Sequence, residues 1–141
     1  MLASIAVAAD SRFREAALIY GAGDLPAVVA ANLTTRPRIL RRPLAWLATR
    51  PFAALAPERF IGLIAPRRVV FVNGIDDPQM PATAARHLVD AAGSPKSVIW
   101  LRTGHLMPTD SALIRTLVDT AFATMSVLHA PLDSGRCRLH P

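Results

Sequence analysis

Three side chains in this sequence have the types and placement for acid–base chemistry. Asp76 and Asp77 follow the apolar run at residues 68–73 (RVVFVN), and His105 closes Thr103-Gly104-His105, just after the apolar run at 97–101 (SVIWL). A carboxylate set against an imidazole accepts a hydrogen bond from one ring nitrogen. That bond fixes the tautomer and stabilises the imidazolium formed when the other nitrogen takes a proton, so the pair works as a general base. Either aspartate could be the partner. Each group also has a plainer reading: aspartate is favoured in turns, and a loop histidine can make a purely structural hydrogen bond.

The other candidates offer less chemistry. His87 falls in an expected helix with no acid nearby and is read as a surface side chain; His129 and His140 fall in or near the tail. No spacing of His, Asp or Glu resembles a zinc site. The single cysteine, Cys137, excludes an internal disulfide and a thiolate metal cage. Tyr20 and Asp24 stand at the end of a third apolar run, where they border either a pocket or the core.

For the pair to meet, both loops must leave the same edge of one sheet. Residues 1–9 read as a buried apolar helix ended by Asp10 and Ser11. Residues 16–22 (AALIYGA) read as a buried strand, and 25–34 as a helix with Pro26 in its first turn. Pro37, Pro43 and Pro51 divide 35–56 into short helical pieces, and 57–64 gives a helical turn or two. Residues 68–73 form the clearest strand, apolar and β-branched. A loop at 74–81 leads to a helix at 82–92, stopped by Gly93 at its C′ position. After the strand at 97–101, Asp110 or Thr109 caps a last helix of about 17 residues. Its stripe is Leu113, Leu117 and Ala121, with Ile114, Val118 and Phe122 beside it. Wholly apolar strands alternating with helices predict an α/β fold: a parallel sheet of about three strands between two helical layers. Function in such sheets sits at the carboxyl ends of the strands, where Asp76, Asp77 and His105 fall.

Composition narrows the remaining classes. A chain of 141 residues, 52% hydrophobic, makes one domain with a core. No apolar run approaches the roughly 20 residues of a membrane helix. The N-terminus lacks a basic n-region and meets Asp10 too soon for a signal peptide. A cytoplasmic location and no membrane partner are the expectation. Net charge is +6, and fifteen of the sixteen basic residues are Arg. The densest basic stretch, Arg36, Arg38, Arg41, Arg42 and Arg50, has one aromatic among it, Trp46, where a nucleic-acid surface wants several for stacking. It is read as a solvated face, and no nucleic-acid partner is expected.

Five segments together resemble the α/β-hydrolases. Gly74-Ile75-Asp76-Asp77-Pro78-Gln79-Met80-Pro81 is similar to that family's loop after the seventh strand, and Thr103-Gly104-His105 to the Gly-His after the eighth. Ala56-Pro57-Glu58-Arg59-Phe60-Ile61, ending at Ala65-Pro66-Arg67, resembles the run before the seventh strand in esterases of the dienelactone-hydrolase and acetyl-xylan-esterase type, with Ala56 where the family often has Asp. Residues 1–9 resemble the helix that leaves the nucleophile elbow, and Asp10-Ser11-Arg12-Phe13 the loop before the sixth strand.

The resemblance implies the C-terminal half of an α/β-hydrolase fold over residues 1–128, with a short-helix insertion at about 25–56 and a flexible tail at 129–141. It implies a serine-hydrolase triad in the order Ser, acid, His, with His105 as the histidine. Asp77, by its spacing to Pro81, is then the acid in preference to Asp76. The parent activity would be hydrolysis of carboxylic esters or related acyl bonds of small molecules, without metal or organic cofactor. Met80, Leu106 and Met107 would line an acyl pocket or serve packing. The Gly-x-Ser-x-Gly elbow and the oxyanion-hole segments that the family needs do not occur here; none of Ser4, Ser11, Ser94, Ser97, Ser111, Ser126 or Ser134 has that setting. Little hydrolysis is therefore expected from these residues alone. The sixth strand would also leave an open edge beside an uncovered apolar helix, suited to self-association or to an N-terminal half.

Overall fold

The computed structural model describes residues 2–127. The tail expected at 129–141, with Cys137, His129 and His140, lies outside the described residues. Three parallel strands form one sheet in the order β1 (Glu15–Ile19), β2 (Arg68–Gly74), β3 (Lys96–Leu101). Ala17 is in register with Val70, and Phe71 with Val98. β2 is central and covered on both faces, which is why it is apolar at every position from Val69 to Val72. Val69 and Phe71 pack with Ile61, Ile64, Leu88 and Val89 on one side; Val70 and Val72 pack with Leu117 and Ala121 on the other.

The first of these helical layers contains α1 (Leu2–Ala9), α4 (Glu58–Ile61) and α5 (Ala82–Ala91), and the second contains α6 (Ser111–Val127). Asp110, not Thr109, caps α6 with its side chain, accepting from Leu113 N at 2.9 Å. Leu117 and Ala121 are buried as expected, but the neighbouring stripe faces outward: Ile114 and Phe122 are exposed. Arg67 ties the end of α1 to the sheet. Its Nη1 donates to the carbonyls of Val7 (2.7 Å), Asp10 (2.9 Å) and Phe13 (3.2 Å), and its Nε to Ile64 O (3.1 Å). In the same turn the Arg12 side chain, and then its backbone N–H, bonds the Asp10 carboxyl and holds it below the usual carboxylate range.

Several expectations are corrected. β1 ends at Ile19 rather than residue 22, because Tyr20 turns into the left-handed region at φ 54. α1 is not a buried helix: only Ser4 and Val7 are enclosed. β3 is not a buried strand: Lys96 and Val98 are exposed and its other residues are partly buried. Gly93 does not stop α5 through a positive φ; no described glycine has one. It is small for a different reason, since a Cβ there would lie 2.7 Å from that of Ala65. His87 does have an acid nearby, with Nδ1 3.7 Å from Glu58 Oε1.

The helix expected at 25–34 is α2 (Leu25–Asn32); the segment 35–56, expected as short pieces, instead contains the twelve-residue α3 (Arg38–Thr49) and then a 3-10 stretch, Arg50–Leu55. Pro43 sits inside α3 without ending it. Its turn is exposed, so water can satisfy the carbonyl that the ring leaves unpaired. α3 faces inward through Ala45 and Thr49 only. Most of its large apolar side chains face solvent: Ile39 is 84% exposed and Leu47 63%, with Leu40 and Leu44 also exposed, while the half-exposed Trp46 walls a cleft with Leu25 and Pro26.

Candidate active site

At the carboxyl end of β2 the chain passes from Gly74 into the loop that carries the two aspartates. They diverge there. Asp76 points its side chain to solvent, and its backbone N–H donates to Thr103 O at 3.2 Å. Asp77 turns inward, with its side chain fully enclosed (0% exposed). A buried carboxylate must be hydrogen-bonded, and this one is. Oδ1 accepts from the backbone N–H of Gln79 at 2.8 Å and of Met80 at 3.0 Å. The loop thus wraps its own carboxylate, an Asx-type turn that leads into α5.

The remaining acceptor positions of Asp77 face His105, which lies in the loop beyond the end of β3. His105 Nδ1 lies 3.0 Å from Oδ2 and 3.2 Å from Oδ1. Because a carboxylate only accepts, Nδ1 carries the proton in this bond, and the neutral ring presents Nε2 as its basic nitrogen. No described residue hydrogen-bonds Nε2, and the side chain is 32% exposed. Of the expected site residues, Asp77 and His105 are therefore brought together, and Asp76 is set apart.

The loop bearing His105 is fastened to its neighbours at several points. Ile75 N donates to Leu101 O and Thr103 N to the same carbonyl, both at 2.9 Å. Tyr20 reaches it from the end of β1. Its hydroxyl lies 2.6 Å from Gly104 O and 2.9 Å from Thr103 Oγ1. This tie was not read from the sequence, where an aromatic residue after a strand signals only a core or a pocket wall. Beneath it, Gly74 leaves no room for a side chain: a Cβ would meet the Tyr20 hydroxyl at 2.5 Å and Thr103 O at 2.7 Å.

A cleft of about 170 Å³ lies past Tyr20, walled by Tyr20, Gly21, Ala22, Leu25, Val28 and Met80 among others; neither Asp77 nor His105 lines it. Of the expected pocket residues, Met80 borders this cleft. Leu106 packs instead against the Val70–Leu117 core, and Met107 is exposed. Asp24 is taken up by the start of α2, accepting from Ala27 N at 3.2 Å. Among the described residues no cluster of three or more His, Cys, Asp or Glu could hold a metal ion, and no helix is long and apolar enough to cross a membrane.

No family model matches the chain, and no curated protein matches it. Solved structures do. The α/β hydrolase GrgF from Penicillium sp. sh18 superposes with a TM-score of 0.53 at 15% identity, covering 87% of this chain and 60% of its own. A puromycin hydrolase gives a TM-score of 0.58 at 15% identity, over 90% of this chain and 20% of its own. An acetyl xylan esterase from Paenibacillus sp. R4 gives 0.52 at 13% identity, over 85% and 42%. The chain thus spans between a fifth and three-fifths of the length of these neighbours. Three parallel strands with helices on both faces, superposing on these enzymes over most of the chain, give residues 2–127 the fold of an α/β-hydrolase fragment.

Proposed function

We propose that these residues supply the acid and the histidine of a serine-hydrolase triad acting on carboxylic esters or related acyl bonds. The observation that carries this reading is the bond from His105 Nδ1 to the enclosed carboxylate of Asp77, at 3.0 Å, with the imidazole still reachable from solvent. In the proposed reaction a serine hydroxyl attacks the acyl carbonyl while His105 Nε2 takes its proton. The same nitrogen returns the proton to the leaving group, and Asp77 holds the tautomer throughout. No Gly-x-Ser-x-Gly occurs in the 141 residues, so the serine and the oxyanion donors come from other polypeptide. The hydrolase fold supports an acyl substrate.

Hydrolysis of p-nitrophenyl acetate tests this. The 141-residue chain alone should stay near the buffer rate. Joined to a first half that carries Gly-x-Ser-x-Gly, it should turn over. Asp77→Asn should then lower kcat by about 10⁴-fold through the wrong tautomer, and His105→Ala should return the rate to background. Rapid hydrolysis by the isolated chain that disappears in His105→Ala would place the nucleophile within it and defeat the proposal. So would full activity of the joined protein without His105.

A second reading, a non-catalytic interaction fragment, is favoured by the outward apolar side of α3 and the unpaired edge of β1. On this reading the chain associates with itself or with an N-terminal half; in light scattering a clean, cooperative monomer would argue for an evolved small domain and aggregation for a truncated one.

A further inference from the structure

We infer that Tyr20 is a positioning residue for His105, acting through the peptide bond that precedes the histidine. The inference rests on the proposed acid–histidine pair and extends it to a third strand. Tyr20 has one hydroxyl proton and two close partners. Gly104 O, at 2.6 Å, can only accept, so the proton goes there. Thr103 Oγ1, at 2.9 Å, must then donate its own proton to the tyrosine oxygen. The result is a directed chain from Thr103 through Tyr20 to Gly104.

The carbonyl it ends on belongs to the peptide unit that contains the nitrogen and Cα of His105. Peptide planarity makes these atoms move together, so a bond to Gly104 O restrains the point from which the histidine side chain departs. The loop needs such a restraint. A Cβ on Gly104 would find nothing within 4 Å, and its φ is not positive. Neither packing nor a special backbone conformation therefore accounts for this glycine, which brings the freest backbone of any residue to the position before the base. Asp77 holds the imidazole ring from one side; Tyr20 holds the backbone from another.

The backbone of Tyr20 supports the same conclusion. A bulky residue at φ 54 is a true outlier, and strain of this kind persists where the surroundings fix it. Here the left-handed turn ends β1 with Tyr20 N still bonded to Val72 O at 2.9 Å. The ring is thereby sent across the end of β2. Gly74, which ends β2, is the residue whose missing side chain lets the hydroxyl pass, since a Cβ would stand 2.5 Å from it. One side chain therefore spans the ends of all three strands and finishes at the residue before the histidine.

Tyr20→Phe removes the hydroxyl and keeps the ring. The measurement is NMR of the 141-residue chain: the tautomer of His105 and the solvent exchange of its Nδ1 proton, beside the amide of Phe71 in the core as an internal reference. In the parent chain the proton should reside on Nδ1 and be protected. In Tyr20→Phe its exchange should quicken by about tenfold, the scale of one lost hydrogen bond, while Phe71 stays unchanged. Thr103→Val, which keeps the bond to Gly104, should give a smaller effect in the same direction. Unchanged Nδ1 exchange in Tyr20→Phe overturns the inference and leaves the acid–histidine pair standing. Equal quickening of Nδ1 and Phe71 makes Tyr20 merely structural and overturns it as well. A proton found on Nε2 in the parent chain removes the pair itself, and this inference with it.

Discussion

Two glycines lie within one loop contact of each other, and the same substitution should act on them in opposite directions. At Gly74 an added methyl would stand 2.5 Å from the Tyr20 hydroxyl, 2.7 Å from Thr103 O and 2.9 Å from Thr103 Oγ1. None of these can give way freely. Thr103 O already accepts from Asp76 N, and the Tyr20 hydroxyl can retreat only by leaving Gly104 O. Overpacking of about 1–3 kcal/mol then adds to two weakened hydrogen bonds at about 1 kcal/mol each. Alanine returns only about 0.4–1 kcal/mol by narrowing the unfolded chain. Gly74→Ala should therefore destabilise by about 2–4.5 kcal/mol. At Gly104 nothing lies within 4 Å and φ is not positive, so Gly104→Ala keeps only the unfolded-state gain. In urea titrations followed by circular dichroism, with a slope of about 2 kcal/mol per molar, Gly74→Ala should lower the midpoint by about 1–2 M and Gly104→Ala should raise it slightly. A Gly74→Ala midpoint equal to the parent's would refute the close approach of Tyr20. A matching fall in Gly104→Ala would refute the open surroundings of that residue.

Arg67→Ala removes the donors to four carbonyls and should destabilise by about 2–3 kcal/mol, with Arg67→Lys recovering only part because one ammonium cannot reproduce the planar fork; urea unfolding checks both. Ile39→Glu with Leu47→Glu should lower the association of the isolated chain in light scattering, and an unchanged mass would show that the outward side of α3 is not the contact. Arg12→Ala should raise the titration of the Asp10 carboxyl, read by NMR. Because that carboxyl is lowered in the folded chain, its contribution to stability is complete above the ordinary carboxylate range and is lost as pH falls through the lower folded value. Arg12→Ala should remove that acid dependence.

The parts of the fold legible in the sequence are those where local chemistry and burial agree. β2 is apolar and β-branched because both faces are covered, and α6 begins where Asp110 can cap it. The misread parts are those where a local rule met an exposed or long-range setting. Pro43 was expected to break a helix, but it occupies a solvent-facing turn where the missing hydrogen bond is tolerated. Once α3 was divided, its outward row of Ile39, Leu40, Leu44 and Leu47 could not be seen as one face. α1 has the composition of a buried helix and is exposed at half of its positions, since apolar content says nothing about whether a covering element is present. At the site, residue types and strand order pointed to the loops of Asp77 and His105. Residue types alone left both aspartates open, and the resemblance favoured Asp77 by its spacing to Pro81; the contacts of Tyr20, to partners 83 and 84 residues away, left no mark in the sequence.

Every described contact that sets the acid–histidine pair comes from within residues 20–105. The Asp77 carboxylate is held by Gln79 and Met80 of its own loop. The loop of His105 is held by Leu101, Ile75, Asp76 and Tyr20. If the proposed triad holds, the contacts that orient the imidazole toward a nucleophile are already made among these residues. A buried carboxylate without its partner is costly, so the couple also stabilises the sheet end that carries it. Base and scaffold are then one unit: loss of the His105 bond should loosen the β2–β3 end even where no reaction takes place. Protection of the Ile75 and Asp76 amides in His105→Ala would measure that coupling, and full protection there would separate the chemistry from the fold.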